Sequence, residues 1–185
     1  MTHTPNRVAL GLGANLGDPP ATFMRAVELL AAGGFEKAVL SPLYQTVPVE
    51  CEPGAPPFCN AALTGDWPGG IAALLDLCQA IERQLGRPAA HLSRESRPID
   101  IDILLAGERV VSSPRLRLPH PRLRRRLFVL IPLRDIAPDW PVPPGRQTVA
   151  ALCERLLRRT PAPGAVIQPW PATRPPQDAA SPPMA

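Results

Sequence analysis

The segment Arg97-Pro98-Ile99-Asp100-Ile101-Asp102-Ile103-Leu104-Leu105 places two carboxylates inside an apolar, β-branched run. If the segment is a β-strand, its three isoleucines point to one face and both aspartates point to the other. Neighbouring carboxylates repel each other, so one would hold a proton at a raised pKa unless a cation lies between them. This pattern favours a hard divalent ion with oxygen ligands, Mg²⁺ first among them. The alternative is an edge strand whose polar face is simply solvated.

Length and charge limit the possible architectures and partners. A chain of 185 residues can form one domain with a substantial core, followed by a tail. The formal net charge is +4, and the cations are concentrated between Arg109 and Arg134, a stretch without acidic residues. This stretch favours contact with polyanions.

The cysteine spacing and the length of the apolar runs bear on the cellular location of the protein. Cys51, Cys59, Cys78 and Cys153 are scattered without a C-x-x-C pair, so the sequence indicates neither a zinc site nor a disulfide framework. The chain opens without a leader pattern, and its apolar runs are far shorter than the ~18–20 residues of a membrane span. We therefore expect a reduced, cytoplasmic protein.

Hydrophobic periodicity predicts strands and helices along the chain. Asp18 is a good helix N-cap, because Pro19 and Pro20 follow it in the first turn. The predicted strands lie at residues 8–13, 35–46 with an interruption at Ser41-Pro42, 58–63 and 99–105, and the predicted helices at residues 18–32, 71–85 and 147–159.

The order of these elements predicts an α+β domain rather than a doubly wound one. Gly107-Glu108 resembles a hairpin turn, so we expect residues 109–111 to pair back on the strand that carries the two aspartates. Beyond Thr160 the chain is rich in proline, and its only charged residues are Arg174 and Asp178. We therefore predict a domain at residues 1–159 and a disordered tail at residues 160–185.

Several polar positions have a structural interpretation. The glycines of residues 11–17 lack the Lys-Ser/Thr ending of a phosphate-binding loop, so they predict an ordinary turn. Asn is disfavoured in strands, so Asn60 either makes a specific hydrogen bond or faces solvent, the more common outcome. Gln79 and Glu82 lie opposite the apolar stripe of the second helix, where a solvated face is expected.

Six motifs, in this order along residues 8–149, resemble the 6-hydroxymethyl-7,8-dihydropterin pyrophosphokinase family. The Arg-x-x-Asp-hydrophobic-Asp patch is the most specific of them. The motifs are Gly13-Ala14-Asn15-Leu16-Gly17, Tyr44-Gln45-Thr46-Val47-Pro48, Phe58-Cys59-Asn60-Ala61-Ala62, Gln79-Ala80-Ile81-Glu82, Arg97-Pro98-Ile99-Asp100-Ile101-Asp102-Ile103, and Leu118-Pro119-His120-Pro121 leading to Phe128.

The resemblance implies a fold and an activity. The family's fold is a ferredoxin-like α+β sheet with helices packed on it and extra elements. Its members are ATP-dependent diphosphokinases of folate biosynthesis. They transfer pyrophosphate from ATP, the co-substrate, to the hydroxymethyl group of 6-hydroxymethyl-7,8-dihydropterin and release AMP. In such a transfer, positioning and charge neutralisation carry most of the catalysis.

The resemblance also implies residue roles. Asp100 and Asp102 match the positions that bind two Mg²⁺ ions, and with Arg97 they form the implied catalytic set. The positions that match ATP contacts are Gln79, Glu82, Arg87, Arg97, His120 and Arg126. The positions that match the pterin pocket are Thr46, Phe58, Asn60 and Phe128, where the two aromatic rings stack on the pterin and the polar groups bind its edge.

The chain departs from the family in the loop before Arg97. Glu95-Ser96 replaces a small residue and proline, Ala89 replaces a basic residue, and Arg94 stands where an aromatic residue is sometimes found. One alternative is therefore a catalytically silent relative that binds pterin or nucleotide.

An RNA-binding ferredoxin-like module is a second alternative. The chain has only 4 Phe, 3 Trp and 1 Tyr, which are few rings for stacking bases. The two aspartates would also oppose a polyanion. We expect small-molecule substrates, no nucleic-acid or membrane partner, and a monomer.

Overall fold

The apolar strand β1 (Asn6–Ala14) lies inside an antiparallel sheet. The computed structural model describes residues 6–47, 55–88 and 96–171, and all bounds refer to these residues. The other strands are β2 (Glu36–Leu40), β3 (Tyr44–Thr46), β4 (Phe58–Trp67), β5 (Asp100–Ala106), β6 (Val111–Ser112), β7 (Arg117–Leu118) and β8 (Ile167–Pro169); the helices are α1 (Pro19–Ala32), α2 (Ile71–Gln84), α3 (Leu127–Ile136) and α4 (Val149–Leu157).

The strand order of the main sheet is β5-β1-β4-β3-β8, and β2 also pairs with β4. The interruption predicted at Ser41-Pro42 is confirmed, because β2 and β3 pair with successive parts of β4. Gly13 of β1 lies opposite Asn60 of β4 on one side and opposite Asp100 of β5 on the other. With neighbouring strands about 4.8 Å apart, Asn60 and Asp100 are therefore about 10 Å apart across β1.

Two apolar clusters cover the two faces of this sheet. Val8 and Leu10 of β1 pack in a cluster with residues of α1 and α2, whereas Ala9 belongs to a cluster with residues of α3 and α4. Ile101 and Ile103 are buried in the first cluster, and the aspartates between them are half-buried. The predicted alternation in β5 is therefore confirmed.

The helix predictions agree with the structure within a few residues. Asp18 caps α1 as predicted, and its Oδ1 accepts a hydrogen bond from Ala21 N at 3.1 Å. The second and last helices are α2 and α4. The predicted α+β class is confirmed as an antiparallel sheet with packed helices. No helix among the described residues is long and apolar enough to cross a membrane.

The predicted pairing of residues 109–111 with the aspartate strand is wrong. Strand β6 pairs with β7 instead, in a separate two-stranded hairpin. The intervening turn is closed locally, because Ser113 N donates to Leu116 O at 3.0 Å and Leu116 N donates to Ser113 Oγ at 3.0 Å. Arg109 N donates to Ala106 O at 3.1 Å, which closes the Gly107-Glu108 turn without continuing into a strand pair with β5.

The prediction of a disordered tail from residue 160 is wrong for residues 160–171. Strand β8 pairs with β3, and Trp170 N donates to Leu43 O at 2.8 Å. Ile167 is buried in the cluster with α3 and α4. The high proline content of residues 160–185 favoured a prediction of disorder and outweighed this short apolar segment. Residues 172–185 lie outside the described residues.

We predict that β8 stabilises the domain. Truncation after residue 160 removes the buried Ile167 and exposes the edge of β3, which costs about 2 kcal/mol for the side chain alone. The Tm should fall by roughly 5 °C in thermal unfolding followed by circular dichroism. Truncation after residue 171 is the control and should leave the Tm unchanged. Equal Tm values for the two truncations would contradict a stabilising role for β8.

Candidate active site

An open cleft of about 610 Å³ lies between α2, β5 and the β6–β7 hairpin. It is large enough for a nucleotide-sized ligand. The predicted site residues that line it are Gln79, Glu82, Arg87, Asp100, Asp102 and His120. Six of the predicted residues, separated by up to 41 positions in sequence, are therefore brought together here.

Glu82 connects helix α2 to strand β5. Its Oε1 accepts hydrogen bonds from Ile101 N at 2.7 Å and from Arg87 Nη1 at 2.5 Å. Burial raises the pKa of the Glu82 carboxyl to about 7, although the Ile101 N–H and Arg87 both favour its ionised form. The prediction that Glu82 lies on a solvated helix face is wrong, because its side chain is only 12% exposed.

Asp100 lies between two arginines. Its Oδ1 is 2.5 Å from Arg87 Nη1, and its Oδ2 is 3.3 Å from Arg97 Nη2. Burial alone would lower the pKa of Arg87, but Asp100 and Glu82 outweigh burial and raise it. The three charged groups around Asp100 therefore form one connected network with β5.

Asp102 is the second carboxylate of β5, and its side chain is 46% exposed, compared with 25% for Asp100. Burial, and then repulsion by Asp100, raise the pKa of its carboxyl. His120 Nε2 is 3.7 Å from Asp102 Oδ2, and burial lowers the pKa of the imidazole. Arg122 N donates to His120 Nδ1 at 3.2 Å, which leaves Nε2 as the nitrogen directed at the aspartate.

This carboxylate pair fits Mg²⁺. A raised pKa at a paired aspartate reflects a charge that a cation would stabilise. Among the described residues, no group of three or more His, Cys, Asp or Glu side chains is placed to hold a metal ion. Mg²⁺ commonly binds through one or two carboxylates and completes its shell with water and phosphate oxygens, so a pair is sufficient.

Asn15 is a site residue that the sequence interpretation missed. It is 5% exposed, and its Oδ1 accepts a hydrogen bond from Arg97 N at 2.7 Å. Its Nδ2 donates to Ser96 Oγ at 3.0 Å and to Pro56 O at 3.3 Å. The turn at residues 15–18, which follows β1, therefore holds the segment that precedes β5. The available signal was the motif Gly13-Ala14-Asn15-Leu16-Gly17, which contributed to the family resemblance but was given no role in the site.

Two arginines lie over the two predicted aromatic rings. The Arg97 guanidinium is 5.4 Å from the centroid of the Phe58 ring, and the Arg126 guanidinium is 5.0 Å from that of Phe128. Both distances are in the range of cation–π contacts. Burial and repulsion by Arg122 lower the pKa of Arg126.

Asn60 and Thr46 form a buried polar pair, so the predicted solvent exposure of Asn60 is wrong. Asn60 is 6% exposed and Thr46 is 7% exposed. Asn60 Nδ2 donates to Thr46 Oγ1 at 2.9 Å and also points at Phe58 O at 3.4 Å. The structure shows the alternative that the sequence left open for Asn60, a specific hydrogen bond.

The remaining predicted residues lie outside the cleft. Thr46, Phe58 and Asn60 are on β3 and β4, Phe128 is on α3, and Arg97 and Arg126 connect the two regions through their aromatic contacts. The structure thus shows a charged cleft at β5 and a second group of aromatic and polar side chains about one strand away.

A cleft with paired carboxylates and several arginines, on an antiparallel α+β domain, is typical of enzymes that transfer phosphoryl or pyrophosphoryl groups. The particular family follows from comparison with known proteins. The family model described as 7,8-dihydro-6-hydroxymethylpterin-pyrophosphokinase (HPPK) matches residues 9–138, and the chain belongs to this family. The family resemblance of the six sequence motifs is confirmed.

Relatives from other organisms agree with this assignment. The 2-amino-4-hydroxy-6-hydroxymethyldihydropteridine pyrophosphokinase of Methylorubrum extorquens is 40% identical over 151 residues, which cover 81% of this chain and 93% of that protein. The enzyme of the same name from Pseudomonas aeruginosa is 38% identical over 141 residues, which cover 76% of this chain and 86% of that protein. The mitochondrial folate synthesis bifunctional protein of Arabidopsis thaliana is 39% identical, but the match covers only 24% of its length.

Solved structures share the fold. Plasmodium falciparum HPPK-DHPS aligns with a TM-score of 0.64 at 14% identity, over 84% of this chain and 45% of that one. The chain therefore spans less than half of this longer protein.

We predict that Asn15→Ala weakens the site as well as the fold. The change leaves the Arg97 N–H without its acceptor, which should cost about 2 kcal/mol of unfolding free energy. Because Arg97 is then held less firmly, the KM for ATP should rise several-fold in steady-state assays. Asn6→Ala is the control, since Asn6 bonds to Gly69 and Arg109 away from the cleft. An unchanged KM for ATP in Asn15→Ala would contradict a role in holding Arg97.

Proposed function

We propose that this chain transfers pyrophosphate from ATP to the hydroxymethyl group of 6-hydroxymethyl-7,8-dihydropterin and releases AMP, the reaction that gives its family its name. The observation that carries the proposal is the position of the Asp100–Asp102 pair. It faces a cleft rich in arginine and lies one strand away from the buried Asn60. A phosphate donor and a flat heteroaromatic acceptor can therefore bind side by side.

Asp100 and Asp102 are proposed to hold two Mg²⁺ ions. When bound, the ions neutralise phosphate charge and align the attacking oxygen with the phosphorus. The chain's own contribution is to keep both carboxylates in place. Glu82 does this by binding Ile101 N, and Arg87 by binding Asp100.

ATP is proposed to occupy the charged cleft. Arg87, Arg97 and Arg126 supply positive charge for the triphosphate, and His120 supplies an imidazole nitrogen beside Asp102. Arg97 Nε is buried and has no hydrogen-bond partner among residues 6–47, 55–88 and 96–171, so a phosphate oxygen would satisfy this donor. Gln79 and Glu82 line the cleft from α2, and Glu82 also orients Arg87.

The pterin is proposed to bind at the second group of side chains. Phe58 and Phe128 are both half-buried, so each ring keeps exposed surface on which a heterocycle can stack. Asn60 and Thr46 are already hydrogen-bonded to each other, and a fixed pair of this kind presents its other polar atoms in one orientation. Such preorganisation lowers the entropy cost of binding.

The proposal extends to the fold and the setting. The elements β1, α1, β2, β4, α2 and β5, with the sheet order β5-β1-β4-β2, have the βαββαβ arrangement of a ferredoxin-like domain. The remaining elements are additions to it. The free, buried thiols of Cys59, Cys78 and Cys153 suit a reducing compartment such as the cytoplasm. A monomer acting only on small molecules is the simplest form of the proposal.

The decisive experiment incubates the purified chain with ATP, Mg²⁺ and hydroxymethyl-dihydropterin and measures AMP. We predict that Asp100→Asn and Asp102→Asn each lower kcat at least about 100-fold, because each removes a charge needed to hold Mg²⁺. Chelation of the metal should abolish AMP formation, and added Mg²⁺ should restore it.

Asp139→Asn is the matched control, because Asp139 is an exposed carboxylate away from the cleft. Substantial activity in either active-site variant would refute the metal assignment. If the unmodified chain binds ATP or pterin but forms no AMP, it is instead a catalytically silent relative. The departure from the family at Glu95-Ser96 is the reason for this alternative.

We also predict that Phe128→Leu raises the KM for pterin about tenfold, because it keeps apolar volume but removes the stacking face. Phe128→Tyr retains the ring and should stay within about twofold of the unmodified chain. Initial rates at saturating ATP measure both values. Similar KM values for the Leu and Tyr variants would remove Phe128 from the pterin pocket.

A further inference from the structure

Tyr44, the only tyrosine of the chain, connects the strand β3 to the helix α3. Its hydroxyl donates a hydrogen bond to Asp135 Oδ2 at 2.5 Å. Asp135 Oδ1 in turn lies 3.5 Å from Arg134 Nη2, which keeps positive charge beside this carboxylate. None of these three residues lines the charged cleft.

On the strand side, Tyr44 is directly coupled to the proposed pterin pocket. Tyr44 and Thr46 are two residues apart, so their side chains lie on the same face of β3. Tyr44 is also the register partner of Asn60, whose amide bonds to Thr46. A shift of Tyr44 would therefore move both polar residues of the pocket.

On the helix side, Asp135 shares the helix α3 with Phe128. Phe128 and Asp135 are seven residues apart in α3, which is close to two helical turns, so they lie on one face about 10.5 Å apart. Tyr44 and Phe128 pack in the same apolar cluster. A bond at Asp135 therefore fixes the rotation of α3 about its axis, and with it the position of the Phe128 ring.

The backbone holds β3 on both sides, because the strand pairs with β4 and with β8, and Trp170 N donates to Leu43 O at 2.8 Å. These backbone bonds do not set the position of α3 relative to β3. A side-chain hydrogen bond from Tyr44 to a charged acceptor on α3 is stronger than a neutral one and supplies that constraint.

We propose that the Tyr44–Asp135 hydrogen bond is a positioning device for pterin binding, which fixes β3 and α3 so that Thr46, Asn60 and Phe128 face the substrate together. This inference rests on the proposed function. Tyr44 and Asp135 act through other residues and need no contact with either substrate. Burial and the bond to Asp135 raise the pKa of Tyr44 to about 12, so the hydroxyl remains a donor at any physiological pH.

The test compares Tyr44→Phe, Asp135→Ala and Asp135→Asn in the full chain. Isothermal titration measures the Kd for hydroxymethyl-dihydropterin, steady-state assays measure the KM for ATP, and thermal unfolding measures the Tm. The control is Asp139→Ala, which removes an exposed carboxylate four residues further along the chain, beyond the end of α3. The pterin Kd is measured without turnover, so it does not depend on catalysis.

We expect Tyr44→Phe and Asp135→Ala each to weaken pterin binding roughly fivefold to tenfold while the KM for ATP stays within about twofold. Asp135→Asn keeps an acceptor oxygen and should recover most of the affinity. The double variant Tyr44→Phe/Asp135→Ala should bind pterin no more weakly than Asp135→Ala alone, because both changes break one bond.

Three outcomes would overturn the inference: an unchanged pterin Kd with a lower Tm, equal losses for ATP and pterin, or additive losses in the double variant. The first would show a purely structural bond. Failure of the proposed function is distinguishable, because it is a lack of AMP formation by the unmodified chain. A lack of pterin binding by the unmodified chain would overturn both proposals.

Discussion

The site depends on one electrostatic constraint, the repulsion between two half-buried carboxylates on β5. Asp100 and Asp102 cannot both carry charge there unless cations compensate, and the raised pKa of Asp102 expresses this cost. Arg87 and Arg97 compensate at Asp100, and Glu82 balances Arg87 from the other side. Removal of one partner would leave a buried charge uncompensated, so the charged residues of the network depend on one another. A bound cation would supply the positive charge that Asp102 lacks.

In the proposed function, strand β1 lies between the ATP site and the pterin site. Gly13 lies between Asn60 and Asp100, and a Cβ built there would be 3.7 Å from Asn60 Oδ1 and 3.9 Å from the Asp100 Cβ. A single methyl would fit without a clash, but it would fill the gap between Asn60 and Asp100. The glycine therefore leaves open the space in which the two substrates would meet.

Local patterns in the sequence were sufficient for α1, α2, α4, the main strands and the central motif, whereas α3 was not predicted. The cap at Asp18, the apolar stripe of α2 and the alternation in β5 depend on nearest neighbours, and all three predictions are confirmed. The failures concern contacts that only the tertiary fold creates. Asn60 of β4 can be buried because Thr46 of β3 accepts its hydrogen bond. Strand β8 can form because β3 offers it a strand edge to pair with. The role of Asn15 in holding Arg97 depends on a contact across 82 positions of the chain.

Arg97 joins these separate contacts. Asn15 holds its backbone N–H, Asp100 pairs with its guanidinium, and Phe58 lies beneath the same group. Because Arg97 contacts both Asp100 and Phe58, a shift at either residue would be felt at the other. If a phosphate oxygen satisfies its buried Nε, the guanidinium becomes fixed, and the Phe58 ring beneath it is then already ordered when the pterin arrives. Because such coupling is reciprocal, bound pterin would favour the same arrangement for ATP.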